Sequence, residues 1–231
     1  MRVVTTLFLL AAFMSDAFGQ SQSEKPKISA MRQIYVQDQR DRGVPLSDSG
    51  ERLKPSADEK PVPSLDAETQ IAHDAARREQ VRALLASGNV TTAQDFHDAA
   101  FIFQHGQEAK DYLLAHILAV GAVEKGDASS KWISAATLDR YLQAIGQPQV
   151  FGTQYLDSDY LFVVQHKDDP AAIKAQKHET GMTQQPYDAD LMPDYLRLSF
   201  CVQNRAQQEL NLKVFESGAY PSGTLPPGCA R

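Results

Sequence analysis

The sequence predicts a mainly α-helical fold, a compact antiparallel bundle of four to five helices with a small irregular or β-hairpin part at its C-terminal end. Three observations carry this expectation. Four successive stretches between Ser64 and Gly146 have helical periodicity, and each stops at a glycine. The connections between them are a few residues long, which sets neighbouring helices antiparallel. The β-prone apolar runs Val150-Phe151 and Tyr160 to Val164 come only after the fourth stretch.

The chain begins with a segment of a different kind. Arg2 precedes an apolar run from Val3 to Met14, broken only by Thr5 and Thr6, and Ala17-Phe18-Gly19 places small residues at the −3 and −1 positions of a cleavage site. This is the pattern of a secretory signal peptide, residues 1–19, with cleavage after Gly19. The run is well short of the roughly 20 apolar residues a spanning helix needs, so no stable membrane anchor is expected after cleavage. The expected localisation is secreted or periplasmic.

Residues 20–64 form a polar N-terminal segment rich in proline and serine. Within it, Ser29 to Arg42 reads as a short helix. Ser29 caps it, Met31, Ile34 and Tyr35 share a side, and Asp38 stands four residues before Arg42. The helical core domain is expected over 65–155. Its first helix is capped by Ser64, runs to about Ser87 and stops at Gly88-Asn89. Thr92 and Asp95 have capping-box spacing for the second, which ends at Gly106. The third spans about 107–125. Because Tyr112 to Val123 is apolar throughout except for His116 and Gly121, it is expected at the centre of the bundle. The fourth runs from about Ala128 to Ile145, with Gly146 and Pro148 beyond it. Residues 156–231 are expected to form a C-terminal extension packed on the core, with a polar loop over 166–190, a short helix near 170–177, a helix from Pro193 to Glu209, and an irregular Gly/Pro-rich tail.

The composition excludes several functions. The 231 residues are 42% hydrophobic and 23% charged, with a formal net charge of −6. A mildly acidic chain without a basic block is a poor match for nucleic acid or an anionic membrane. The sequence has no H-E-x-x-H, G-x-S-x-G, phosphate-loop or C-x-x-C motif. No metal and no cofactor are expected, and His166, Asp168, Asp169 and His178 read as solvated loop residues. The two cysteines, Cys201 and Cys229, permit one disulfide in an exported protein, two buried thiols being the alternative.

Helical wheels then single out polar side chains on apolar faces. His97 and Gln104 lie beside Ala93 and Ala100, His116 interrupts the apolar third helix, and Asp139 falls among Trp132, Ala135, Ala136 and Leu142 with Arg140 next to it. A buried carboxylate needs a partner. The expected partners of Asp139 are the histidines and Arg140. Two readings compete: a network that fixes helix register, and a site with shifted pKa values for acid–base work. The amide-rich run Gly146 to Gln154 follows the same helix and suits a pocket-lining loop.

Several of these residues fall in motifs. Asp38 to Arg42 (DQRDR), Asp95-Phe96-His97, Gln104-His105-Gly106, Asp111 to His116, Leu138-Asp139-Arg140 and Gln149 to Gln154 together resemble a bacterial family described as a domain of unknown function, number 6624. The resemblance spans roughly residues 32–155. It implies a helical domain with shared polar positions and supplies no reaction.

The expectation for function is therefore a small polar ligand or a protein partner, bound through the polar residues of the second to fourth core helices and the 147–154 loop. Binding residues would be Asp38, Arg42, Gln104, His116, Gln149, Thr153 and Gln154. The alternative is a metal-independent hydrolase or lyase acting on an envelope or extracellular substrate. There His97 or His105 would act as base, Asp139 would orient it or act as acid, and Arg140 with Gln154 would hold an anionic or carbonyl group. A purely structural envelope protein is the third reading.

Overall fold

The computed structural model describes residues 28–54, 63–158, 169–175, 181–221 and 225–229. The expected signal peptide, the apolar run Tyr160 to Val164 and the loop residues His166, Asp168 and His178 lie outside these. The described residues form α1 (Ala30–Asp41), α2 (Ala67–Ala86), α3 (Ala93–Phe103), α4 (Ala109–Glu124), α5 (Ser130–Ala144), β1 (Leu156–Asp157), α6 (Pro170–Ala175), β2 (Met182–Thr183), α7 (Asp194–Ser199) and α8 (Arg205–Glu216). The fold is mainly α, with one small antiparallel pair in which Leu156 faces Thr183 and Asp157 faces Met182.

Local chemistry starts and stops the bundle helices. Ser29 caps α1 by accepting the Arg32 N–H. Asp66, rather than Ser64, caps α2 through Thr69. Thr92 and Asp95 form the expected capping box of α3. The helices pack in sequence order, with α4 between α3 and α5, and α1 lies across α2 and α3. Their core joins Met31 and Ile34 of α1, Val81 of α2, Ile102 and Phe103 of α3, Leu118 of α4 and Ile133 of α5. Burying side chains of this size contributes about 1.5–3 kcal/mol each. The N-terminal helix is thus part of the core, and its C-terminal end is held against the bundle.

Two expectations for the elements change. Helix α4 is not enclosed on all sides: Leu113, Ile117 and Val120 form an exposed stripe, while Ala115, Leu118, Ala119 and Ala122 face the core. The predicted helix from Pro193 to Glu209 is two helices. Between them Cys201 adopts a left-handed φ of 59° and Asn204 caps a new start by accepting the Gln207 N–H. Cys201 is bonded to Cys229, which pins the tail to this turn. Beneath it a smaller apolar cluster joins Ala135, Phe151 and Val202. Among the described residues no helix is long and apolar enough to cross a membrane.

Candidate functional site

The structure distributes the polar residues of the core helices into separate environments. Asp139 is fully buried, and its partners are neither histidines nor Arg140. Oδ1 accepts the N–H groups of Val150 and Phe151 at 2.8 and 3.0 Å, and Oδ2 accepts the N–H and hydroxyl of Thr153 at 2.9 and 2.7 Å. The carboxylate therefore folds the loop that follows its own helix. The wheel could not find these partners, because backbone N–H groups have no side-chain signature.

The loop's amides are used in the same way. Gln149 is fully buried; its Oε1 accepts the Gln154 N–H, and its Nε2 donates to the carbonyls of Gln154 and Gln184. Gln154 donates to the Ala136 carbonyl and to Thr153 Oγ1. Gly152 has φ 75°, and a Cβ there would collide with Gln208 and Tyr187. From Gln149 to Gln154 the loop is thus a self-satisfied scaffold, with the side chains of Gln149, Thr153 and Gln154 bonded within the protein.

His97 and His116 are also committed locally. His97 Nδ1 lies 2.7 Å from Ser130 Oγ and 3.1 Å from Asp127, while the Ser130 hydroxyl donates to Asp127 at 2.8 Å. Serine and carboxylate meet the same ring nitrogen, so this is not a relay that activates a nucleophile. The ring sits between Tyr35 and Phe101, and burial lowers its pKa against the pull of Asp127. His116 Nδ1 donates to the Ser134 carbonyl at 2.9 Å, fastening α4 to α5. Gln104 is buried at the C-cap of α3, next to His105.

His105 is different. The residue follows α3, and its Nε2 lies 3.8 Å from Oδ2 of Asp38, which is 1% exposed. The Asp38 carboxylate is held by Arg42 one turn along α1 (3.2 Å) and receives the Gln39 amide (2.9 Å). Arg42 reaches on to Asp74 of α2 at 2.6 Å and to Gln70 at 3.0 Å. Arg77 of α2 pairs with Asp41 and approaches Asp38 and Asp74 at 3.6 Å each. Arg78 donates to the His105 carbonyl at 2.9 Å and faces Asp111 of α4, which also takes Arg82 at 2.5 Å. Gly106 is required here, since a Cβ would strike Asp111.

The electrostatics follow from this enclosure. Burial first, and then the charges of Arg42, Arg140, Arg77 and Arg78, hold the His105 imidazole well below the ordinary histidine range. Burial also pushes the Asp38 carboxyl up, with Arg42 opposing. The His105 side chain keeps 22% of its surface exposed, yet its Nε2 is buried and has no hydrogen-bond partner. The same holds for Nη1 of Arg77. Buried polar atoms are paired in all but a few per cent of cases, and here two stand on either side of one carboxylate.

Of the residues singled out in the sequence, the structure brings together Asp38, Arg42, His105 and the charge of Arg140. It leaves His97, His116, Asp139, Gln149, Thr153 and Gln154 elsewhere. Sequence reasoning gave Asp111, named within a motif, no role of its own, and missed Asp74, Arg77 and Arg78, because nothing on a polar helix marks which of its charges are buried. The signal that could have found them is the run of charges at three- and four-residue spacing on α2. Chemically, the cluster offers guanidinium donors for an oxyanion beside an imidazole kept neutral. Among the described residues no group of three or more His, Cys, Asp or Glu side chains is disposed to hold a metal ion. No family model, curated protein or solved structure matches the chain.

Proposed function

We propose that the protein binds a small anionic ligand, a carboxylate or a phosphate ester, at the cluster of His105 with Arg42, Arg77, Arg78 and Arg140. The observation that carries this reading is the pair of buried atoms without hydrogen-bond partners, His105 Nε2 and Arg77 Nη1, on either side of the Asp38 carboxylate. An oxyanion would satisfy both, and guanidinium forks suit its geometry. Three separated motifs of the family resemblance supply the site: Asp38 and Arg42 from the first, His105 from the second, and Arg140 from the third. The Asp139 of that third motif builds the neighbouring loop. This convergence supports the family reading as well. Export is part of the proposal, and the Cys201–Cys229 bond is compatible with an oxidising compartment.

Calorimetric titration of the purified chain with inorganic phosphate and with citrate tests it. Binding is expected at low salt, weakening as salt is raised, and about tenfold weaker in Arg42→Gln. No heat of binding with either anion would refute the reading.

A second reading rests on His105 being held neutral while Asp38 is pushed up. Such a pair suits general acid–base catalysis on the bound anion, as in a hydrolase or lyase. Turnover of a bound ester or hydroxy acid, abolished in His105→Gln with binding retained, separates it from simple binding.

A further inference from the structure

A second site, which shares no lining residue with the arginine cluster, lies against α5. The turn between α7 and α8, the loop after Gly152 and the tail enclose a cavity of about 270 Å³. Trp132 and Val202 contribute from the core side, Tyr155 and Phe215 line its flank, and Tyr220 and Leu225 stand on the tail. The two sites share one helix: Trp132 and Arg140 are eight residues apart, about 12 Å along the axis.

The lining is chemically uniform. None of the residues around the cavity carries a charge. Three aromatic rings follow one another: Tyr155 to Phe215 at 5.2 Å between centroids, and Phe215 to Tyr220 at 5.9 Å. Beside them Asn211 donates to the Tyr155 hydroxyl at 3.3 Å and to Gln203 at 2.5 Å, so the polar groups are hydroxyls and carboxamides held in fixed orientations. Tyr220 is 88% exposed, far more than a tyrosine that serves only to pack. Apolar and aromatic walls with a few placed polar groups are the usual make-up of a ligand pocket, and the volume lies just below the usual range of about 300–1,000 Å³.

The occupant follows from this chemistry. An anion would find no counter-charge. A purely apolar ligand would leave the carboxamides and hydroxyls facing carbon. A sugar ring has C–H faces to lay on aromatic rings and hydroxyls to exchange hydrogen bonds with amides. We propose that this cavity binds a neutral sugar ring of a carbohydrate chain, with Tyr220 as the stacking platform at its mouth. The proposal is independent of the anion site.

Trp132 is the single tryptophan of the chain, and it lines the cavity. Its emission therefore reports occupancy directly. The test is a fluorescence titration of the purified chain with neutral hexasaccharide fragments of chitin, cellulose and starch. The expected result is a saturable change with at least one of them, insensitive to about 0.5 M salt, and about tenfold weaker in Tyr220→Ala. Thermal unfolding checks that this exposed substitution leaves the fold intact. The proposal is overturned if none of the three sugars gives a saturable change, or if the affinity is the same in Tyr220→Ala. A response to free phenol but to no sugar also overturns it and makes the site one for aromatic compounds.

Discussion

His105 and Asp38 face each other at 3.8 Å, one from the turn after α3 and the other from the end of α1, inside a group of guanidinium charges. Burial, and then the arginines, hold the imidazole well below the ordinary histidine range in the folded chain. In the unfolded chain a histidine takes up its proton near pH 6.5. The stability that His105 contributes is therefore complete above about pH 6.5 and drains away as the pH falls from there towards its depressed folded value. Urea unfolding of wild type and His105→Gln between pH 7.5 and 5 is expected to show a steeper fall in wild type, since His97, also depressed by burial, remains in both. Parallel curves would contradict this.

Asp98 behaves in the opposite sense. Its carboxyl lies buried on α3, 2.8 Å from Arg32, and burial outweighs that charge to push it up to about 7. A raised carboxyl pKa contributes stability that is complete below its ordinary value near 3.8 and is lost as the pH rises through about 7. Between pH 5 and 8, wild type is expected to lose stability relative to Asp98→Asn, measured by the difference in unfolding free energy. A constant difference would show that Asp98 is ionised throughout.

Asp139→Asn keeps one acceptor oxygen and replaces the other with an amide that cannot accept from Thr153. Leaving buried N–H groups unpaired costs about 1–3 kcal/mol each. The variant is expected to lose about 2–4 kcal/mol in equilibrium unfolding, and Gln149→Ala a comparable amount, by releasing the same loop. A loss below about 1 kcal/mol would mean that the loop does not depend on these bonds.

The disulfide carries two consequences. Cys201 and Cys229 are 28 residues apart, and closing a loop of that size contributes about 3–4 kcal/mol in the chain-entropy account. Cys201→Ser combined with Cys229→Ser is expected to lose about that much stability. Because the tethered tail forms one wall of the cavity, the emission of Trp132 is also expected to shift to the red in the double variant. Unchanged emission would show that the tail stays in place without the bond.

Much of the bundle was legible in the sequence, because helix ends are written in local chemistry. Thr92 with Asp95, the glycine stops and Ser29 marked α1 and the core helices to within a few residues. The pairing of Asp38 with Arg42 was legible for the same reason, being a one-turn contact. What failed depended on tertiary surroundings. Apolar composition could not tell that Leu113, Ile117 and Val120 face outward. Helical periodicity continued through residues 200–204, where Cys201 and Asn204 break the helix. Asp139 was expected beside histidines because a wheel sees only side chains, and its partners are backbone. Arg77 and Arg78 carry no local sign of burial: α1 meets Arg77 through Asp38 and Asp41, and Arg78 is held by His105 and Asp111.

The central claim is that the His105 cluster takes an anion. The most direct test is the imidazole signal of His105 in proton–carbon NMR, assigned with His105→Gln and followed while inorganic phosphate is added at pH 7. The account predicts a neutral ring in the free protein, a saturable shift on adding phosphate, and loss of that shift in Arg42→Gln. A His105 signal that does not move at about 10 mM phosphate, in a protein that remains folded, would contradict it and leave the cluster as the ion-pair network that fastens α1 to the bundle.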